Sequence, residues 1–347
     1  MNLRITVTIT AFIAILLVPT FSYGRAGDNE RLWYKYPAKH WSSQALHIGN
    51  GYMGASFYGG VKEERFDITE KTMWTGGPGG DLNYNYDIKP GGRDHLNQIR
   101  DAIVSGDIAE ADSLVYRHFM GGYSSFGAFS MIGNLYFTFA DHNGSVSGYK
   151  RELDLSQSLA KVSYAMDSVG YEREYFCSYP DRVIVMRFSS NQPGTLGFAM
   201  RHKLEQGASG ISINNDELLV TGKINGNSRE YRVRIKVLHS GGKLEVNGEK
   251  IVLSGANSAT VIYSAATEYR PVPPQYKGAD PDAITSGLIS QAAQRSYEQL
   301  KRRHIEDYQS LYNRVKLTLA SDPDAEMLPT NQRWQNLKKG KQDNTGT

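Results

Sequence analysis

The 347 residues carry 39 Lys and Arg against 36 Asp and Glu, a formal charge of +3, so no polyelectrolyte field holds a nucleic-acid backbone as the main partner. Hydrophobic residues at 40% and aromatics at 11% supply a sizeable core and exclude a wholly disordered chain, and the length fits about two domains. The single cysteine, Cys177, excludes an intrachain disulfide framework and any multi-thiolate zinc site.

The first two dozen residues read as an export signal. Arg4 gives the positive start, Ile5 to Val18 an apolar run closed by Pro19, and Ser22-Tyr23-Gly24 places small residues around a cleavage point after Gly24. The apolar run is short and broken by Thr, which favours a signal peptide (residues 1–24) over a membrane anchor. The mature chain is expected to be periplasmic or secreted, with no membrane span after cleavage.

From about Arg31 to Tyr263 the dominant period is two, the spacing that sends alternate side chains to one face of a sheet. Leu135/Phe137/Phe139, Leu196/Phe198/Met200 and Tyr231/Val233/Ile235/Val237 show it clearly. Turn signals at Asn214-Asn215, Asn225-Gly226, Gly241-Gly242 and Asn247-Gly248 separate the runs. Strands joined so tightly are antiparallel, which predicts a mainly β fold, a large antiparallel β-sandwich over residues 25–275.

Two helical passages interrupt the pattern. Residues Asp94 to Met120 read as two short helices broken at Ser105-Gly106, an insertion lying on the sandwich. Asp280-Pro281 then opens a long amphipathic helix or helix pair, an N-cap followed by proline at the first helical position. Its stripe includes Leu288, Ile289, Leu300, Ile305, Leu311 and Val315, and residues 276–347 are expected to be a helical linker and the truncated start of a further domain. A stripe left uncovered predicts self-association; the competing outcome is that the helix folds back onto the sandwich.

The motifs of common chemistries do not occur: no Gly-rich loop with Lys-Ser/Thr, no His-Glu-x-x-His, no Cys-x-x-Cys and no Gly-x-Ser-x-Gly. No metal or cofactor is expected. His304 reads as a helix-face residue and Cys177 as an inert packing residue. Glu63, Glu64, Asp67 and Glu70 crowd one segment, and paired carboxylates are what glycoside hydrolysis needs. Packed so closely on an exposed strand and turn, they are expected to be solvated.

The most specific segment is Leu46 to Gly80. Gly49-Asn50-Gly51-Tyr52-Met53-Gly54-Ala55 sets three glycines among strand residues. Trp74-Thr75-Gly76-Gly77-Pro78-Gly79-Gly80 puts a flat ring before a loop with almost no side chains, followed by Asp81, Asn83, Tyr84, Asn85 and Tyr86. Rings beside Asn and Asp suit a sugar, which offers C–H faces to stack on and hydroxyls to bond. The plainer reading is a buried tryptophan pinning a glycine-rich turn. Trp74, Asp81, Tyr84 and Tyr86 are the candidate substrate-proximal residues.

Leu32-Trp33-Tyr34, Ala45 to Ala55 and Glu70-Lys71-Thr72-Met73-Trp74-Thr75-Gly76-Gly77-Pro78 resemble the N-terminal domain of glycoside hydrolase family 95. The similarity continues in order through Ile132-Gly133-Asn134-Leu135-Tyr136, Tyr171-Glu172-Arg173-Glu174, Ser178 to Val185 and His304 to Val315. Departures occur at Thr69, where the family often has Asn, and at Lys71, where it often has an acid.

The resemblance implies an inverting α-L-fucosidase or a related α-L-galactosidase, built from a β-sandwich, a helical linker, an (α/α)6 barrel and a small β domain. It implies a glycan substrate and a barrel as partner. The family's catalytic acid and base lie in or after that barrel, so no catalytic residue is carried onto this chain, which is expected to be inactive by itself. A free-standing carbohydrate-binding sandwich is the alternative.

Overall fold

A computed structural model of the chain describes residues 30–80, 84, 89–120, 126–317 and 323–341. The expected signal peptide lies outside the described residues. The chain opens with β1 (Arg31–Tyr34), α1 (Trp41–Gln44), β2 (Leu46–Gly49), β3 (Met53–Phe57) and β4 (Glu63–Glu70). A 3₁₀ turn at Gly92–His95 leads into α2 (Leu96–Ser105) and α3 (Ile108–His118). Gly106 takes φ +84 as the C-cap of α2, and Asp107 caps α3 through Glu110 N, so the expected break falls at these two residues.

The next strands are β5 (Gly133–Thr138), β6 (Val146–Asp154), β7 (Leu159–Met166), β8 (Val169–Ser178) and β9 (Val183–Ser190). They are followed by β10 (Leu196–Leu204), β11 (Ala208–Asn214), β12 (Glu217–Lys223), β13 (Glu230–Asn247) and β14 (Lys250–Thr267). Four helices end the described chain: α4 (Pro281–Ala293), α5 (Tyr297–Tyr312), α6 (Pro323–Glu326) and α7 (Thr330–Lys338).

All strand pairings among the described residues are antiparallel, as the tight turns predict. The sheet is continuous and curls upon itself in the order β1-β6-β7-β8-β9-β14-β10-β5-β4-β3-β2, with β13, β12 and β11 branching from β14. The corner is made by β14: Lys250 to Ala256 pair with β10 and Ser258 to Tyr263 pair with β9. Gly241-Gly242, expected to be a turn between strands, lies instead inside β13, where a register shift at Ser240/Gly241 accompanies this bend. Gly242 sits there at φ +72, and a Cβ on it would lie 2.4 Å from the Ser254 carbonyl oxygen. Only glycine allows the two long strands to approach so closely.

Between the curled layers lies the main core, where Phe57, Phe66, Phe137, Tyr175, Phe188 and Phe198 pack with Val, Ile and Met side chains. Alternation along β8 serves two cores at once. Tyr175 and Cys177 point into the main one, whereas Phe176 points outward beneath the helices with Val183, Val185, Ile262, Ile289 and Leu300. Burial pushes the Cys177 thiol well above its ordinary range, in keeping with a packing role.

The helix pair corrects one expectation. Asp280 caps α4 through Asp282 N and Ala283 N at 3.0 Å each, and Ser296 with Gln299 forms a capping box on α5. The stripe folds back onto the sheet: Ile289 and Leu300 are buried, Leu288 and Ile305 half-buried. His304 stacks on Phe176 at 4.8 Å and Tyr297 donates to Glu174. Only the far end, Leu311 at 58% and Val315 at 82% exposure, stays uncovered. Burial against an open sheet face was accessible without any further domain, and that is the stronger driving force.

Candidate functional site

The Trp74 loop begins where β4 ends. Met73 is fully buried and anchors the chain, and Trp74 pairs with Phe129 through an isolated bridge. The half-buried indole donates its N–H to the Phe126 carbonyl at 2.6 Å. Its ring lies edge-on to Phe126 at 5.6 Å and tilted to Phe129 at 6.1 Å, and these two rings are 40% and 49% exposed. Thr75 N donates to Ala128 O at 3.0 Å, and Ala128 N donates back to Thr75 Oγ1 at 2.8 Å.

From the opposite side, Asn227 donates to the Trp74 carbonyl at 2.6 Å and Arg229 donates to the Pro78 carbonyl. Arg229 also lies 5.0 Å over the Tyr269 ring, which stacks with Tyr276. Gly79, at φ +66, needs its missing Cβ: that atom would fall 2.1 Å from the Gln275 carbonyl oxygen. The glycine-rich loop is therefore a stapled wall with aromatic faces on its outer side.

Next to it, the β2–β3 and β8–β9 turns meet. Asn50 donates to Ser178 O at 2.8 Å, and the rings of Tyr52 and Tyr179 stack at 5.6 Å. Lys71 Nζ and Arg182 Cζ sit 4.0 and 4.1 Å from the Tyr52 ring centre. Glu70 lies behind them, accepting from Thr72 N at 2.7 Å and Thr72 Oγ1 at 2.5 Å, while Thr72 reaches Thr267 Oγ1 at 2.5 Å. Burial raises the Glu70 carboxyl above its ordinary value, opposed by Thr72, Lys71 and Arg182.

Of the sequence-selected residues, the structure places Trp74 in this wall and leaves Tyr84 half-buried; Asp81 and Tyr86 lie outside the described residues. Tyr52 lies far from Tyr179 and Arg182 in sequence, and only the fold, by joining the two turns, brings them together.

The four crowded carboxylates also differ from expectation. Glu64, Asp67 and Glu70 are buried, with exposures of 0%, 8% and 6%, and of the four only Glu63 is exposed. Alternation sends Glu64 and Glu70 to the side of Phe66 and Ile68. Asp67, on the other face, is covered by Tyr58, Arg65 and Asn134, which donate to it at 2.7, 2.6 and 2.6 Å. These carboxylates hold structure together: Glu64 and Asp67 are engaged through both oxygens, and Glu70 through Oε2. Among the described residues, no group of three or more His, Cys, Asp or Glu could hold a metal ion, and no helix is long and apolar enough to cross a membrane.

Residues 32–272, most of the chain, match the family described as glycosyl hydrolase family 65, N-terminal domain. The chain belongs to this glycosyl hydrolase family. Residues 296–345 match the glycosyl hydrolase family 95 catalytic domain, a match that opens at the Ser296 cap of α5. Alpha-L-fucosidase 2 of Arabidopsis thaliana is 29% identical over 318 residues, covering 84% of this chain and 36% of that protein. A probable alpha-fucosidase A of Aspergillus niger is 27% identical, covering 83% of this chain and 38% of its own length. The chain thus spans well under half the length of these relatives. A putative kojibiose phosphorylase from the human microbiome aligns with TM-score 0.48 at 10% identity, over 88% of this chain and 40% of that one. The family 95 match and the α-fucosidase relatives agree with the resemblance carried by the motifs around Trp74 and Ser178.

Proposed function

We propose that this chain is the N-terminal, non-catalytic portion of an exported α-L-fucosidase. In the whole protein the reaction is hydrolysis of terminal α-L-fucosyl linkages with inversion: an acid protonates the glycosidic oxygen while a base directs water to the opposite face. The observation that carries this reading is the pairing of two matches. The α-fucosidase relatives align across most of this chain yet over only 36% and 38% of their own lengths, and the family 95 catalytic match covers residues 296–345 alone.

The role assigned to this chain is positional. Trp74, Phe126 and Phe129 present ring faces on which sugar C–H groups stack, and Asn227 and Arg229 fix the loop that carries them. A wall of this kind raises rate by holding the substrate in line with the reacting groups. Export is proposed from the Arg4 to Gly24 segment.

The test is Trp74→Ala in an intact enzyme carrying this N-terminal portion. A fall in kcat/KM of about 10–100-fold, the scale of one lost aromatic contact, supports the wall. An unchanged kcat/KM beside a lowered melting temperature refutes it and makes Trp74 a packing residue.

A further inference from the structure

We infer that the outer face of β3, β4, β5, β10 and β14 is a second glycan-binding surface, holding a neutral, hydroxyl-rich polysaccharide across the strands. It lies further back along β4 than the Trp74 loop, and the inference does not rest on the fucosidase reading.

Pairing register builds the surface. Arg65 lies opposite Tyr136, Tyr136 opposite Arg201, and Arg201 opposite Lys250, so one row of side chains crosses four strands on the solvent side. At a strand spacing of about 4.8 Å the row spans roughly 14 Å. Arg65 lies over the Tyr58 ring at 5.0 Å and Arg201 over the Tyr136 ring at 4.0 Å. Flat guanidinium groups are thereby held over rings while their side chains stay 40% and 37% exposed. The row ends in a groove of about 520 Å³ between β10 and the β13–β14 turn, lined in part by Lys203, Ile211, Asn247 and Glu249. That volume is in the range of about 300–1,000 Å³ usual for ligand sites.

At the other edge stands Trp41, 56% exposed. Its indole N–H donates to Ser56 Oγ at 2.9 Å, and its ring lies edge-on to His47 at 5.9 Å. Ser56 Oγ in turn lies 2.8 Å from His47 Nδ1. The large ring is thus fixed facing water, with its polar edge satisfied and its apolar face available. Such pre-organisation lowers the ordering cost of binding.

Charge selects the occupant. Arg65 pairs with Asp67 at 2.6 Å, Arg201 with Glu63 at 3.8 Å and Lys203 with Glu205 at 3.2 Å. Cations balanced by carboxylates on the same face give little net field for a polyanion. What they offer is a set of paired donors and acceptors, which matches vicinal hydroxyls, next to an exposed ring, which matches a sugar's C–H face.

The experiment is affinity gel electrophoresis of the full chain in gels containing galactomannan, mixed-linkage β-glucan or polygalacturonate, at low and high salt. At least one neutral polysaccharide is expected to retard the chain independently of salt. Trp41→Ala and Arg201→Ala, checked for an unchanged melting temperature, are expected to weaken retardation about tenfold, while Val104→Ser on α2 leaves it as it was. Retardation by polygalacturonate alone, abolished by salt, overturns the neutral occupant. No retardation by any polymer, or retardation that survives both substitutions, overturns the surface itself. Neither result bears on Trp74, whose test is enzymatic rate.

Discussion

Glu64 and Arg173 face each other at 3.5 Å inside the sandwich, with side chains 0% and 2% exposed. Glu64 also accepts from Gly59 N at 2.7 Å and Tyr175 OH at 3.0 Å. Arg173 donates to Gly60 O at 2.6 Å, Val61 O at 3.0 Å and Tyr164 OH at 2.5 Å, and its guanidinium lies 3.9 Å from the Phe139 ring centre. The pair ties the β3–β4 turn to β8. Burial raises the Glu64 carboxyl against the pull of Arg173.

Removing one partner strands the other charge in the core. Arg173→Leu or Glu64→Leu is expected to cost about 3–5 kcal/mol, whereas the double replacement Glu64→Leu with Arg173→Leu costs less than the sum of the two single changes. Urea unfolding of the three variants checks this. Additive losses would show that the two residues act independently.

Stability is expected to fall on acidification through two histidines. Burial lowers His142 and His202 to about 4 from an ordinary value near 6.5. For a base held neutral in the fold, the unfolded chain binds more protons between these values, so stability is lost as pH drops from about 6.5 towards 4. Glu64 and Glu70, raised by burial, act in the opposite sense. The isolating comparison is His202→Gln, which should flatten the slope of melting temperature against pH in that window. An identical slope in the variant would contradict the assignment.

The sheet's outline was legible because alternation and paired turn residues are local. Asn247-Gly248 marked the β13–β14 turn, and Asp280-Pro281 and Ser105-Gly106 marked helix ends. The same alternation placed Glu64 and Glu70 with Phe66 and Ile68, a signal outweighed by the rule that carboxylates stay solvated. What overturned that rule was Arg173, a partner that only the pairing of distant strands supplies. Trp74 was legible as a ring before a glycine-rich loop, but Asn227, Arg229 and Gln275, which make the loop rigid, were not.

The helix pair should divide in its response to substitution. Leu300, fully buried against the sheet, is expected to lose about 2–5 kcal/mol on change to Ala. Val315→Asp, at an exposed position, should leave stability within about 0.5 kcal/mol and reduce self-association. Chemical denaturation and light scattering separate the two effects. Equal losses at both sites would mean that the far end of the stripe is covered as well.

Export carries its own test. Mass spectrometry of secreted or periplasmic material should find Arg25 as the first residue. Met1 retained in a membrane fraction would identify the segment as an anchor.

The proposed division of labour, in which this chain supplies a wall and the rest of an α-L-fucosidase the chemistry, is tested by assaying purified residues 25–347 for fucose release from an aryl α-L-fucoside. No release above the buffer blank is expected, under conditions in which an intact α-fucosidase turns the substrate over. Release by the chain alone, abolished by Asp67→Asn or Glu70→Gln at unchanged melting temperature, would contradict it and move the chemistry into the sandwich.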